Sequence, residues 1–287
     1  MAKQFACALT HVRHESFFLE RWIAYYGAIV GRENLYVVID GDDWVVDVDL
    51  DGITVETVTE APRRRIQNDR WIAKEMSSRA NALRKNYEFV IRGDVDEYVA
   101  IDPASGLNWP QALAELGDAG YIYALGVDMV QDDSEPTPID RKAPILGQRM
   151  HGFVSDRYSK PFVISRWNNW TGGAHRLINR EVKLSQHFVL FHMALADKSV
   201  AQERMAARGG TTQHASFVEH QQARLDTIDE TPQLHRFEFA EACAIGQAQF
   251  VKEADGSPAT RPRAATVEGA DARGLYVTLP ERFAGLL

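Results

Sequence analysis

Short apolar runs alternate along the first hundred residues with stretches whose apolar positions recur at helical spacing. Phe5 to Leu9, Leu35 to Ile39 and Tyr87 to Ile91 have the length and character of strands covered on both faces in a parallel sheet. Between the first two, Phe18, Leu19, Trp22, Ile23, Tyr26 and Ile29 mark one face of a helix that Gly27 and Gly31 weaken or end. Ile53-Thr54-Val55 reads as a short strand. After Pro62 and Arg63-Arg64-Arg65, the residues Ile72, Met76, Ala80 and Leu83 share a face of a second helix. The order strand, helix, strand, short strand, helix, strand predicts an α/β fold with a mainly parallel central sheet flanked by helices. Right-handed crossovers would bring the polar ends of its strands together.

Downstream the pattern is less regular. Asn108-Trp109-Pro110 opens a helix for Gln111 to Leu116, and Tyr121 to Leu125, Phe162 to Ile164 and Phe188 to His192 read as strands. Gln131 to Leu146, rich in Asp and Pro, is expected to be an exposed loop. Trp167 to His175 is a Gly/Trp loop. Ser199 with Gln202 suggests a capping box for a helix ending at Gly209-Gly210. Further helices are expected over Phe217 to Ile228 and Phe237 to Phe250, then a loosely held Glu253 to Arg273, and a short edge strand at Leu275 to Leu279. We divide the chain into a nucleotide-sugar-binding and catalytic domain, 1–198, and a mostly helical C-terminal extension, 199–287, packed on the same domain.

The strand ends carry the candidate chemistry. Tyr87 to Ile91 runs through Arg92 and Gly93 into Asp94-Val95-Asp96, and Leu35 to Ile39 runs into Asp40-Gly41-Asp42-Asp43. If the chain stays extended past Gly93, Asp94 and Asp96 face one side and share a small space. Such a pair requires a proton or a cation, and Mg²⁺ or Mn²⁺ bound together with phosphates meets that need. The alternative is a solvated acidic turn. Position at the carboxyl end of a strand, where open α/β sheets bind ligands, brings the two readings level. His192, placed by the pattern at the end of a strand, would complete a metal or diphosphate site, since neutral imidazole is a competent Mn²⁺ ligand.

Composition narrows the partners. The 287 residues carry a formal net charge of −8, which speaks against a nucleic-acid partner despite the local arginine cluster. Cys7 and Cys243 lie far apart and form neither a disulfide framework nor a zinc pattern. No run is long and apolar enough to span a membrane, and the amino terminus lacks a signal-peptide core, so the expected location is cytoplasmic, with peripheral membrane contact left open.

Val12-Arg13-His14-Glu15 before the Phe18-Leu19-x-x-Trp22 helix, Asp40 closing a strand, and Asp94-Val95-Asp96-Glu97-Tyr98 together resemble the glycosyltransferase family 2-like group with the GT-A fold. The likeness covers the first hundred residues and becomes patchy beyond, where His192 and Lys198-Ser199 are similar to a later stretch of the family. Two positions depart from the family pattern. His14 stands where Asn is usual, and Gly172-Gly173 is followed by Ala174-His175 in place of an acidic pair.

The resemblance implies transfer of a sugar from a nucleotide diphosphate donor to a carbohydrate or other hydroxyl acceptor, assisted by Mn²⁺ or Mg²⁺. It implies that Thr10, Arg13, Glu15, Asp40 and Asp94 face the nucleotide, and that Asp94, Asp96 and His192 face the metal. Asp96 and His175 are the catalytic candidates, with His175 a candidate base for the acceptor hydroxyl. Trp167 and Trp170 could offer flat faces to a sugar ring, or pack locally. Two other classes remain beside this one: a metal-dependent nucleotidyltransferase or phosphoesterase, and a noncatalytic nucleotide-sugar-binding module.

Overall fold

A computed structural model describes residues 2–62, 64–135, 138–209, 222 and 225–287. Strand β1 (Gln4–Val12), helix α1 (Ser16–Val30), strands β2 (Leu35–Asp40) and β3 (Thr54–Val58), helix α2 (Arg65–Leu83) and strand β4 (Tyr87–Arg92) follow the order predicted from the pattern. These strands pair in parallel in the order β3-β2-β1-β4. Most of β1 and β4 is buried, including the unbroken runs Ala6 to Thr10 and Val90 to Arg92, as a sheet covered on both faces demands. Phe18, Leu19, Trp22, Ile23 and Tyr26 of α1 all enter the core.

The second half of the sheet is mixed. It is built from β5 (Glu97–Ile101), β6 (Tyr121–Val130), β7 (His151–Val154), β8 (Pro161–Ile164), β9 (Leu184–Leu195) and β10 (Leu275–Thr278). β8 joins the halves, running antiparallel to both β4 and β6. β9 lies between β5, antiparallel, and β6, parallel. The single large sheet is therefore α/β, with its parallel strands concentrated in the first half. β10 forms its expected edge against β7. Helices α3 (Trp109–Leu113), α4 (Lys198–Gly209) and α5 (Phe239–Gln249) complete the named elements.

Several expectations are corrected. β6 and β9 extend well past the predicted runs, because every residue of β6 is buried and charged Asp128 is accommodated inside it. The segment 131–146 is an exposed loop only in part: Asp133, Ser134, Pro138, Asp140, Arg141, Lys142 and Pro144 are exposed, while other residues turn inward. Gln131, Asp132, Ile139, Ile145 and Leu146 are buried, and its charges find internal partners: Tyr276 Oη donates to Asp132 at 2.5 Å and Met150 N donates to Glu135 at 2.6 Å. Helix α4 is capped by Asp197, which accepts from Val200 N at 3.0 Å and from the Ser199 hydroxyl, so Ser199 does not lead a capping box. Trp170 is 2% exposed and donates Nε1–H to Pro161 O at 2.8 Å, which makes it core, while Trp167 is exposed. Arg63, Gly210 and most of Phe217 to Ile228 lie outside the described residues; 225–230 is helical.

Candidate functional site

Parallel pairing puts the carboxyl ends of β1, β2 and β4 on one edge of the sheet, and the first-loop residues gather there. Thr10, fully buried, donates its hydroxyl to Gly93 O at 3.1 Å and so ties the end of β1 to the turn after β4. Asp40, 1% exposed, closes β2, with His11 Nε2 3.7 Å and Arg13 3.6 Å from its carboxylate. Arg13 donates to the Asp40 carbonyl at 2.8 Å and forks onto the Asp43 carboxylate at 3.0 and 2.8 Å. Gly41 makes this possible. Its φ is +92°, and a Cβ there would collide with Arg13 Nη1. His14 takes φ +50° and lies against Trp44, the ring centroids 5.5 Å apart and the planes tilted by 31°. A non-glycine residue in that region carries a cost of about 1–2 kcal/mol that neighbouring structure must sustain.

The electrostatics on this edge are unusual for a surface loop. Burial pushes the His11 imidazole down to about 4, against the opposite pull of Asp40. His11 Nε2 and Arg92 Nε are both buried without a hydrogen-bond partner among the described residues. Buried nitrogens left open in this way are uncommon, and they mark the edge as a place where a polar ligand would be welcome.

Beyond Gly93 the chain does not stay extended. Asp94-Val95-Asp96-Glu97 is a turn, closed by Glu97 N donating to Asp94 O at 3.0 Å and Asp94 N donating to the Glu97 carboxylate at 3.1 Å. The two aspartates are consequently handled separately. Asp94 faces Arg92 at 3.1 Å and Lys160 at 3.5 Å, and although burial opposes ionisation, these two cations hold its carboxyl below the usual range. Asp96, buried, accepts from Arg204 of α4 at 2.7 Å. Arg204 also pairs with Glu15, so Glu15 is buried behind the loop and bound to a cation. Glu97, 2% exposed, pairs with Lys160. Burial disfavours the Lys160 ammonium, but Glu97 and Asp94 outweigh it and keep the side chain charged.

His192 is not at the end of a strand. It lies inside β9, opposite Glu97 of β5 and Asp128 of β6, because the pairing with β6 continues to Leu195. Its Nδ1 is 2.6 Å from Asp128 Oδ1, which leaves Nε2 facing Asp96 at 3.8 Å. A carboxylate behind a histidine in this way fixes its tautomer and orientation. Tyr158 stacks on the imidazole with centroids 3.9 Å apart. That stacking depends on Gly126, where a Cβ would collide with the Tyr158 backbone.

His175 follows a short 3₁₀ turn that is anchored on α2 through Trp170 N donating to Ser77 Oγ at 2.9 Å and Asn81 donating to Asn168 O at 2.7 Å. Its Nδ1 is 2.8 Å from the Arg157 carbonyl, so Nδ1 carries the proton and Nε2 is the open acceptor. Desolvation within the cleft, reinforced by the Lys160 charge, holds His175 down to about 4. Neutral across the physiological range, it can take a proton, though weakly.

The structure thus brings Thr10, Arg13 and Asp40 together on one side and Asp94, Asp96 and His192 on the other, with His175 within electrostatic reach of Asp94. The sequence reading missed Arg92, Asp128, Tyr158, Lys160 and Arg204. Only Asp128 had a local signal, a charge within an apolar run. As to metal, Arg204 occupies Asp96, and Arg92 and Lys160 occupy Asp94; among the described residues no three His, Cys, Asp or Glu side chains converge to hold an ion. In this arrangement the carboxylates and His192 do not form a ligand set.

Comparison with known proteins adds little to this geometry. No family model and no curated protein matches the chain. Among solved structures, mannose-1-phosphate geranyltransferase from Thermus thermophilus aligns at 14% identity, covering 76% of this chain and 67% of that one, with a TM-score of 0.30. A superposition of that quality carries no argument about function. No helix among the described residues is long and apolar enough to cross a membrane.

Proposed function

We propose that the protein is a glycosyltransferase that moves a sugar from a nucleotide diphosphate donor to an acceptor hydroxyl. The observation that supports this most is the convergence of Thr10, Arg13, Asp40 and Asp94 on the carboxyl ends of β1, β2 and β4, beside buried, unpartnered nitrogens of His11 and Arg92. Ligands of open α/β sheets bind at such ends. In this reading Asp40 accepts hydrogen bonds from base or ribose, and Arg13 and Arg92 turn toward the diphosphate. The acceptor oxygen bonds to the anomeric carbon as the bond from that carbon to the diphosphate breaks. The electron pair leaves with the nucleoside diphosphate, and the hydroxyl proton passes to His175 Nε2 or to Asp96. Mn²⁺ or Mg²⁺ belongs to this proposal only for a rearranged site in which Arg204 has left Asp96.

That same pairing favours a second reading, a nucleotide-sugar-binding module whose carboxylates are neutralised by its own arginine and lysine and need no metal. A thermal-shift series with UDP and GDP, with and without Mn²⁺, separates the two. Stabilisation by a nucleoside diphosphate that grows with Mn²⁺, followed by release of that nucleotide from a sugar donor in the presence of an acceptor, supports the transferase. Metal-independent stabilisation without turnover supports the binding module, and no stabilisation by any nucleotide overturns both.

A further inference from the structure

A cleft of about 1230 Å³ opens beside the candidate site and reaches it at Asp128, Tyr158 and His175. Its size exceeds that of a pocket for one small ligand and suits several linked sugar units. None of Thr10, Arg13, Asp40 or Asp94 lines it, so it is distinct from the proposed nucleotide position.

The cleft is basic in a protein whose formal net charge is −8. Six of its lining side chains are arginine or lysine, and three are acidic. Two of the six are already matched: Arg263 is 3.3 Å from Glu253, and Arg273 pairs with Asp271 and Glu230. Arg157, Arg176, Lys252 and Arg261 have no ion pair among the described residues. They come from separate parts of the chain, the β7–β8 turn, the segment after the His175 turn, and the residues following α5. Of the three acids, Asp128 is engaged by His192 and Glu253 by Arg263. Asp156 remains; burial raises its pKa while the nearby Arg157 and Arg261 charges lower it, and one carboxylate balances at most one of the four cations. Four open cations around a concave surface concentrate anions and can fork onto carboxylate, sulfate or phosphate oxygens.

We infer that this cleft binds an acidic glycan, whose anionic groups are held by Arg157, Arg176, Lys252 and Arg261 while a hydroxyl is presented to His175. The cleft serves as an acceptor site only if the neighbouring site is a transferase; its preference for acidic glycans stands without that. A nucleic acid fits less well, because the basic surface is confined to one cleft of an acidic molecule.

The test measures binding to the full chain at low salt of a sulfated heparin hexasaccharide, its desulfated uronate form, neutral cellohexaose and an oligouridylate of equal charge. The sulfated or the uronate glycan, whichever carries the right acid, should bind at least about tenfold tighter than cellohexaose. Arg176→Gln with Arg261→Gln should weaken that binding about tenfold. Lys74→Gln, on the exposed face of α2, should leave it unchanged, and all variants should keep the wild-type affinity for UDP or GDP. Equal binding of the neutral glycan, binding insensitive to the cleft variants, or equal binding of the oligouridylate overturns the inference. Loss of nucleotide affinity in the cleft variants also overturns it, by assigning the cleft to the donor. Failure of every nucleotide to bind wild type, with acidic glycan binding intact, overturns the transferase and leaves the cleft assignment standing.

Discussion

Two buried ionic clusters sit in one sheet, and they are built differently. Beneath the segment 131–150, Arg149 is fully buried, donates to Asp197 at 2.7 Å and to the Gln148 carbonyl at 3.0 Å, and lies 3.9 Å from Glu135. Asp197 also accepts from Ile139 N at 3.1 Å, and Glu135 is 2.8 Å from His151 Nδ1. Backbone and side chain serve each acid together, and the cluster pins a loop and a helix cap to the sheet. The cluster around the Asp94 turn leans on side-chain ion pairs, with Glu97 also accepting from Asp94 N. It borrows Lys160 from the approach to β8 and Arg204 from α4, and borders a cleft. Charges fixed by backbone hold a fold. A charge matched by the ends of long side chains, as Asp94 is by Arg92 and Lys160, can be exchanged for that of a ligand more readily.

The largest expected effect breaks the first cluster. Arg149→Ala strands Asp197 and Glu135 in the interior and should cost about 3–5 kcal/mol in denaturant unfolding. A cost below about 1 kcal/mol would show that this cluster is as loose as the other. Asp96→Asn keeps shape, removes one charge and leaves Arg204 paired with Glu15 alone. It should lower sugar transfer about a hundredfold, or about 2.7 kcal/mol in the barrier, while the unfolding midpoint stays near wild type. Wild-type turnover in that variant would sink the site assignment.

Acid should open the two regions at different pH. His11 is buried and neutral, with a folded value near 4 below its ordinary 6.5, so its contribution is present above about 6.5 and is lost as pH falls toward 4. Asp132 belongs to the other region. Burial raises its pKa, but hydrogen bonds from Ser134 and Tyr276 outweigh that and hold it at about 2, so its contribution survives until pH falls from about 4 toward 2. Stability measured against pH should lose its upper step in His11→Gln and its lower step in Asp132→Asn. A single step unchanged by either variant would erase the distinction. The smallest effect is expected at exposed Trp167, where Trp167→Ala should change stability by less than about 0.5 kcal/mol, in contrast to Trp170→Ala at about 3–5 kcal/mol.

How much of this was legible from the chain follows from the range of the forces involved. Strand and helix periodicity is local, so β1, α1, β2, α2 and β4 could be read directly. Parallel pairing then made the meeting of Thr10, Arg13, Asp40 and the Asp94 turn a consequence of topology. The condition that the chain stay extended past Gly93 fails because the Glu97 side chain reaches back to Asp94 N. Lys160 reaches Asp94 only because β8 runs antiparallel to β4, which brings the start of one strand beside the end of the other. Arg204 reaches Asp96 across 108 positions of sequence, and His192 meets Asp128 across 64. The sequence by itself determined the elements and which strand ends would carry acids. The tertiary structure alone decided which cation each acid received, because long-range pairing register and helix placement set those distances and no local spacing encodes them.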